Sequence, residues 1–189
     1  MRLYLALFSM GMLLLSCRSD VRIPKPEGFH RIELPKHTYQ PYDDSNCPVV
    51  FDLPTYAATD IRKPDSCWVN FHFKPLNCYW HLTYKNLREA RITPQAAFED
   101  YRRLIYKHSQ RATEITETAL KTPNGSGVLF QIYGNVPTSA QIFFSDSVNH
   151  AVMMSFYFNT ALKNDSLAPI IEFVKEDMKH LIESLAWKK

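Results

Sequence analysis

Glycine is scarce in this chain: five residues in 189. That leaves too little for a phosphate-cradling loop, and no P-loop, G-x-G-x-x-G, G-x-S-x-G or H-E-x-x-H pattern occurs. Charge of one sign is also lacking. Lys and Arg number 22 against 19 Asp and Glu, a formal net charge of +3, which excludes a nucleic-acid-binding surface of the usual basic kind. Beyond residue 15 no apolar run approaches the 18 or so residues a membrane-spanning helix needs. Repeats and low-complexity tracts are absent, so solenoid and fibrous classes drop out. Cysteine is sparse, four residues in all, and hydrolytic carboxylate pairs are missing. Asp43-Asp44, Glu99-Asp100 and Glu176-Asp177 are sequential neighbours whose side chains diverge, so all three read as solvated charge.

What is present begins at the first residue. The chain opens MRLYLALFSMGMLLLSCRSD. Arg2 supplies a positive start and Leu3 to Leu15 an apolar core too short to span a bilayer. Leu14-Leu15-Ser16-Cys17 then has the pattern of a bacterial lipobox. Cleavage before Cys17 leaves a thiol for a diacylglycerol and an amine for a third acyl chain. Buried methylenes at about 0.8 kcal/mol each make two or three chains a firm anchor where one is marginal. The reading is a lipoprotein signal peptide over residues 1–16. Its removal leaves 173 of the 189 residues, one domain's worth, with 46% hydrophobic and 13% aromatic content over the whole chain to build a core.

Residues 17–48 hold Pro24, Pro26, Pro35, Pro41 and Pro48 and little periodicity, which predicts a lipidated, semi-rigid tether and an extended arm. In this arm Phe29, Ile32 and Leu34 are candidates to dock on the domain. From residue 49 to 189 the pattern is that of a single folded domain. VVFDLP reads as a short strand and YAATDIRKPDS as loop. CWVNFHF (67–73) and CYWHLTY (78–84) alternate cleanly, joined by Lys74-Pro75-Leu76-Asn77 as a hairpin connection. Opposed residues share a face. Val69, Phe71, Phe73, Cys78, Trp80 and Leu82 therefore make a core face, and Trp68, Asn70, His72, Tyr79, His81 and Thr83 a mixed, wetter one. Thr93-Pro94 is an N-cap followed by proline at the first helical position, starting a helix to about Gln110. ATEITETALKT, GVLFQIYGN, AQIFFSD and HAVMMSFYFN read as further strands. A last helix opens near Asp165 or Ser166, with Ile170, Val174, Met178, Leu181 and Leu185 on its apolar stripe. Ser139 and Ser145-Asp146-Ser147 look like turn chemistry. The fold class is α+β: an antiparallel β-sheet with two helices packed on it.

Export makes disulfides persistent. Of the three cysteines left after Cys17, Cys78 points into the core in mid-strand, whereas Cys47 and Cys67 sit at segment ends. A Cys47–Cys67 disulfide is predicted, closing a loop of about 20 residues and stabilising by about 3 kcal/mol; the alternative is no disulfide. Each polar candidate has a plain structural reading beside the functional one. His72 and His81 share a sheet face without a third ligand, so no metal site is assigned. His108 lies on the helix stripe as a core histidine, and His150 and His180 read as exposed. The face bearing Trp68, His72, Tyr79 and His81 is the best candidate for binding a partner, since aromatics with polar tips are enriched in interface cores. The competing reading is that a helix or the arm covers it. A catalytic site needs three convergent polar groups, and only the two histidines fall together.

These segments, PKPEGFHRIELPKHTYQPYDDSNCPVVFDLPTYA, CWVNFHF, YKHSQRATEI, the LFQIYGN to FFSDSVNHAVMMSFYFN run and DSLAPIIEFVKEDMKHLIESLAW, occur in this order over the whole mature chain. Together they resemble the GldD family of gliding-motility-associated lipoproteins of the Bacteroidota. The resemblance implies an envelope lipoprotein associated with the gliding apparatus and type IX secretion, acting through envelope protein partners, with no enzymatic activity, no catalytic residues and no cofactor. It places the acylated cysteine at Cys17 and the family's paired cysteines at Cys47 and Cys67. At fold level the element order looks like the PsbP-like α/β/α sandwiches. Arg18-Ser19-Asp20 lacks the acidic patch of surface-exported lipoproteins in that phylum, which suggests a periplasm-facing anchor, in the outer rather than the inner membrane. The alternative function is a periplasmic lipoprotein that binds a lipid or small ligand in a cavity between sheet and long helix.

Overall fold

The computed structural model describes residues 33–63, 67–108, 110–159 and 164–188. The signal peptide, Cys17 and the arm as far as Ile32 lie outside the described residues, as do the side chains of His108 and of residues 61–63. Among the described residues ten strands and two α-helices follow in order: β1 (Tyr39–Asp43), β2 (Val49–Pro54), β3 (Ala58–Lys63), β4 (Trp68–Phe73), β5 (Cys78–Asn86), α1 (Pro94–His108), β6 (Ala112–Thr122), β7 (Gly125–Gly134), β8 (Thr138–Ser145), β9 (His150–Phe158), α2 (Asn164–Ser184) and β10 (Ala186–Trp187).

Seven strands form one antiparallel sheet in the order β3-β4-β5-β9-β8-β7-β6. The β4–β5 register is Val69↔Leu82, Phe71↔Trp80 and Phe73↔Cys78. A 3-10 turn over Lys74–Leu76 and a left-handed Asn77 (φ 49°) close the hairpin. After β5 the chain crosses one face of the sheet as α1, joins the far edge as β6, and meanders back until β9 pairs with β5. Local chemistry starts α1 sharply: Thr93 Oγ1 accepts the Ala96 N–H at 3.1 Å, and Pro94 needs no donor partner in the first turn. Gly127 lets β7 and β8 close up; a Cβ there would stand 2.1 Å from the Phe143 carbonyl oxygen.

The Phe143-Phe144 and Met153-Met154 doublets identify strands that are covered on both sides. Phe144 and Met154 face α2 and the small sheet, while Phe143 and Met153 face α1. One core layer joins Phe71, Trp80, Phe156, Met178 and Leu181; the other joins Tyr101, Ile105, Phe130 and Ile132. The result is a helix, a sheet and then a second layer of helix with small sheet.

Several expectations need correction. YAATDIRKPDS is not loop: Ala58–Lys63 is edge strand β3, paired with β4. Edge strands are buried on few positions, so their sequence need not alternate. Part of the segment assigned to the arm is strand β1, which pairs with β2 from Tyr39↔Pro54 to Asp43↔Val50. The folded unit therefore begins before residue 49. Pro41 is tolerated because β1 is an edge. Leu34 does not dock; it is 38% exposed. β10 completes a three-stranded sheet, order β1-β2-β10, through Ala186↔Val50 and Lys188 N–H to Pro48 O at 2.9 Å. Ser139 lies inside β8, at a register shift, and is buried. Ser145 and Asp146 do perform turn chemistry: Asp146 Oδ1 accepts the N–H groups of Val148, Asn149 and His150, each at 2.9 Å.

The largest departure is Asp177. It is 0% exposed, not solvated. It falls three residues after Val174 and four before Leu181, on the buried stripe of α2. A buried carboxylate requires hydrogen-bond donors. Tyr39 supplies one at 2.9 Å, His37 Nδ1 another at 2.7 Å, and the Tyr56 hydroxyl a third, very short one. Burial, reinforced by Asp177, pushes the Tyr39 and Tyr56 phenols well above their usual range.

Two outcomes follow from this packing. Tyr56→Phe removes a hydrogen bond to a charged acceptor and should lower stability by about 1.5–3 kcal/mol; Asp177→Ala orphans all three donors and should cost roughly 3–5 kcal/mol, both measured by urea unfolding. The second concerns alkali. Burial also raises the phenols of Tyr42 and Tyr101. A group whose folded pKa lies above its unfolded value of about 10 contributes stability that is intact below that pH and is lost as pH rises through and beyond it. Tyrosinate absorbance should therefore appear in two stages above about pH 10, the second coincident with loss of far-UV ellipticity.

Candidate functional site

α1 covers only part of its side of the sheet. Its buried residues Ala97, Tyr101 and Ile105 pack over Phe130, Ile132, Phe143 and Ala151, on β7, β8 and one end of β9. The remaining outer face of β4, β5 and the other end of β9 carries Trp68, His72, Tyr79 and His81, the four residues singled out from the sequence. The register sets them in transverse rows. One row runs Asn70↔His81↔Ser155↔Gln141, from β4 through β5 and β9 to β8. The next runs His72↔Tyr79↔Tyr157↔Thr138.

The rows are tightly ordered. The His72 and Tyr79 rings stack at 4.3 Å with 4° between their planes. His81 meets Tyr157 edge to face at 4.9 Å. Asn70, only 5% exposed, accepts a hydrogen bond from His81 Nδ1 at 2.5 Å, which fixes the imidazole's orientation. On the α1 side the Tyr101 hydroxyl lies 3.0 Å from Gln141 Oε1 and 3.2 Å from Ser155 Oγ, and Ser155 Oγ also donates to Gln141 Oε1 at 3.2 Å. Burial holds the Tyr101 phenol above its ordinary range, so it stays a donor. Between the sheet and α1 a groove of about 360 Å³ opens, lined by His81, Thr83, Tyr101, Leu104, Ser155 and Tyr157 among others. Its rim includes Leu104 at 49% exposure, and Trp68 on the neighbouring strand is 46% exposed.

More polar groups converge here than the two histidines visible in the sequence. Ser155, Gln141 and Tyr101 join them only because β9 pairs with β5, an assignment that needs contacts about 75 residues apart along the chain. Alternation in HAVMMSFYFN does put Met153, Ser155 and Tyr157 on one face; what it cannot give is the neighbouring strand. The convergence does not make a nucleophile. A catalytic serine has its proton directed at a base, and the Ser155 hydroxyl donates to the Gln141 amide oxygen. The arrangement is suited to recognition: aligned hydrogen-bonding groups stand between aromatic rings, and no Asp, Glu, Lys or Arg is among the described residues lining the groove.

The other sequence candidates fall elsewhere. Cys47 and Cys67 are joined by a disulfide and both are buried. Cys78 is a free, fully buried thiol; desolvation, and then the Asp177 carboxylate, push its pKa far above that of a reactive thiol. Expected exposure of His150 and His180 is corrected. His150 is half-buried, with its Nδ1 2.6 Å from the Tyr84 hydroxyl and its ring over Trp187. His180 stacks on Tyr39 at 3.7 Å and contacts Asp52 at 3.2 Å. Both sit where secondary elements unseen in the sequence, β10 and β1, come to rest. Among the described residues no group of three or more His, Cys, Asp or Glu side chains is placed to hold a metal, and no helix is long and apolar enough to cross a membrane. The space between the sheet and α2, where a ligand cavity was the alternative, is occupied by fully buried Val174, Met178, Leu181 and their sheet partners.

Comparison with known proteins adds two findings. No curated protein matches the sequence. Among solved structures, the chain is similar to the cyanobacterial PsbP (CyanoP) from Synechocystis sp. PCC 6803, at a TM-score of 0.48 and 9% identity over 82% of this chain and 95% of that one. A family model described as "Gliding motility lipoprotein GldD" matches residues 19–187, which takes in both core layers, the disulfide and the outer face, and the chain belongs to that family.

Proposed function

We propose that this protein is a lipid-anchored, non-enzymatic accessory of the gliding motility and type IX secretion apparatus, and that it works by protein contact in the cell envelope. Acyl chains on Cys17 hold it to a membrane, the outer rather than the inner, and the lack of an acidic patch in Arg18-Ser19-Asp20 supports a position facing the periplasm. The residues up to the folded unit space the domain from the lipid surface. The rigid α+β domain then presents Trp68, His72, Tyr79 and His81 to a partner protein of the motility or secretion machinery.

The observation that carries this reading is the ordered aromatic and hydrogen-bonding face of β4, β5 and β9 beside α1. Rings with polar tips lose little conformational freedom on docking and dominate interface energetics. Family membership supports the motility context. A second reading, binding of a small ligand, is favoured by the groove of about 360 Å³, which is at the small end of ligand sites. Native mass spectrometry of protein purified from its own envelope separates the two, because a retained ligand mass supports only the second.

Photocrosslinking side chains installed at Trp68 and Tyr79 should capture motility or secretion proteins in living cells, while one at Lys179, exposed on α2, should not. Tyr79→Ala with His81→Ala should weaken that association by about 30-fold or more, the effect of losing one interface anchor of about 2 kcal/mol, with membrane attachment retained. Cys17→Ser should abolish acyl labelling and membrane attachment. Crosslinks of equal yield at Trp68, Tyr79 and Lys179 would remove the assignment of this face.

A further inference from the structure

The N-terminal end of the folded unit is fastened in an unusual way. Residues 37–43 contribute one buried apolar side chain, Tyr42; the rest of β1 is exposed or half-buried. β2 beside it is by contrast buried at four of six positions. What holds residues 37–39 is instead a set of polar and stacking contacts to α2 and to the turn after β2. His37 stacks on Phe173 at 4.0 Å, donates to Asp177 at 2.7 Å and contacts Glu176 at 3.0 Å. Tyr39 stacks on His180 and donates to Asp177 at 2.9 Å. Thr38 and Thr55 share a hydroxyl contact at 2.6 Å and a backbone bond at 2.9 Å.

We propose that residues 37–46 are a releasable strap between tether and domain, with Asp177 as its fastening point and the Cys47–Cys67 disulfide as its stop. Release leaves α2 in place, since Val174, Met178 and Leu181 keep their partners in the core, and Tyr56 remains on Asp177. Water replaces His37 and Tyr39 at the carboxylate. Peeling of β1 from β2 proceeds through the pairs Tyr39↔Pro54 to Asp43↔Val50 and past the Lys188 contacts to Asp43 and the Asp44 carbonyl. It ends at Cys47, which is covalently tied to Cys67 at the head of β4. Release withdraws Tyr42 from its ring contacts with Phe51 and Phe71, while β2 and the rest of the core are protected from a pull applied through the tether. The ten released residues lengthen the tether by at most about 35 Å at roughly 3.3–3.6 Å per residue. The domain can then reach a partner farther from its membrane without unfolding. This reach rests on the Cys17 anchor proposed above; the strap itself does not, and its test needs neither membrane nor partner.

The test is limited trypsin digestion of the mature chain in detergent, read by mass spectrometry at the Lys36–His37 bond. Cutting there requires residues on both sides to leave the domain. The double variant His37→Ala, Tyr39→Phe should accelerate that cut at least tenfold while cutting after Lys85, in the middle of the sheet, stays at the wild-type rate. Adding Cys47→Ser and Cys67→Ser should allow chymotrypsin to reach Phe51, which the disulfide-bonded double variant resists. An unchanged rate at Lys36–His37 would show that Asp177 does not fasten the strap. A parallel rise after Lys85 would show that residues 37–46 leave only when the whole domain unfolds. Either result overturns the proposal.

Discussion

A sheet whose central strands are apolar on both faces must be covered twice, and this requirement organises the molecule. Strands β8 and β9 place Phe143 and Met153 on one side, Phe144 and Met154 on the other. The two coverings are unequal. On one side α2, β1 and β2 together span the sheet, and Leu53, Phe51 and Met178 complete a core that reaches Phe158. On the other side the described residues provide a single 15-residue helix, about 22 Å long at 1.5 Å per residue. Seven strands at about 4.8 Å spacing span more than that. Among the described residues no helix therefore lies over the outer face of β4 and β5, and its side chains are ones that tolerate water: Thr83, His72, His81 and Tyr79. The candidate interface is a consequence of arithmetic between helix length and sheet width, filled in by residue choice.

The same unequal covering explains what was legible in the sequence. Strands with one apolar and one polar face advertise themselves by alternation, which is why the β4–β5 hairpin, its register and the four outer residues could be read directly. α1 and α2 were equally legible, from a Thr-Pro start and an apolar stripe. Strands at edges carry weaker signals. β3 contains Asp60, Arg62 and Lys63, β1 contains Pro41 and buries one of its five residues, and β10 has only two residues, both half-buried. Asp177 illustrates a different gap. Its spacing from Val174 and Leu181 put it on the stripe, yet a charge on a stripe reads as an interruption until its donors are known. Those donors, His37, Tyr39 and Tyr56, lie 121 to 140 residues away in segments that looked like arm and loop. Polar networks that join distant segments leave no local trace, and the convergence of Ser155 and Tyr101 beside His81 was hidden for the same reason.

Attachment to a membrane changes what the outer face must accomplish. A partner met in free solution has to offset the translational and rotational freedom lost on binding, a cost of several kcal/mol at least. For two proteins held at one envelope, tethering turns encounter into an effectively intramolecular event, with local concentrations in the millimolar range for short linkers. Under the anchored reading, a modest patch of ordered rings and hydrogen-bonding groups is sufficient where a free protein needs a broad apolar interface. It is also the safer choice. Such a face stays hydrated while unoccupied and offers no large greasy patch on which envelope proteins can aggregate. Under that reading tether length decides which partners are in range, and the proposed strap, held by side-chain contacts and by the pairing of β1 with β2 and stopped by the Cys47–Cys67 disulfide, is the joint that would set it.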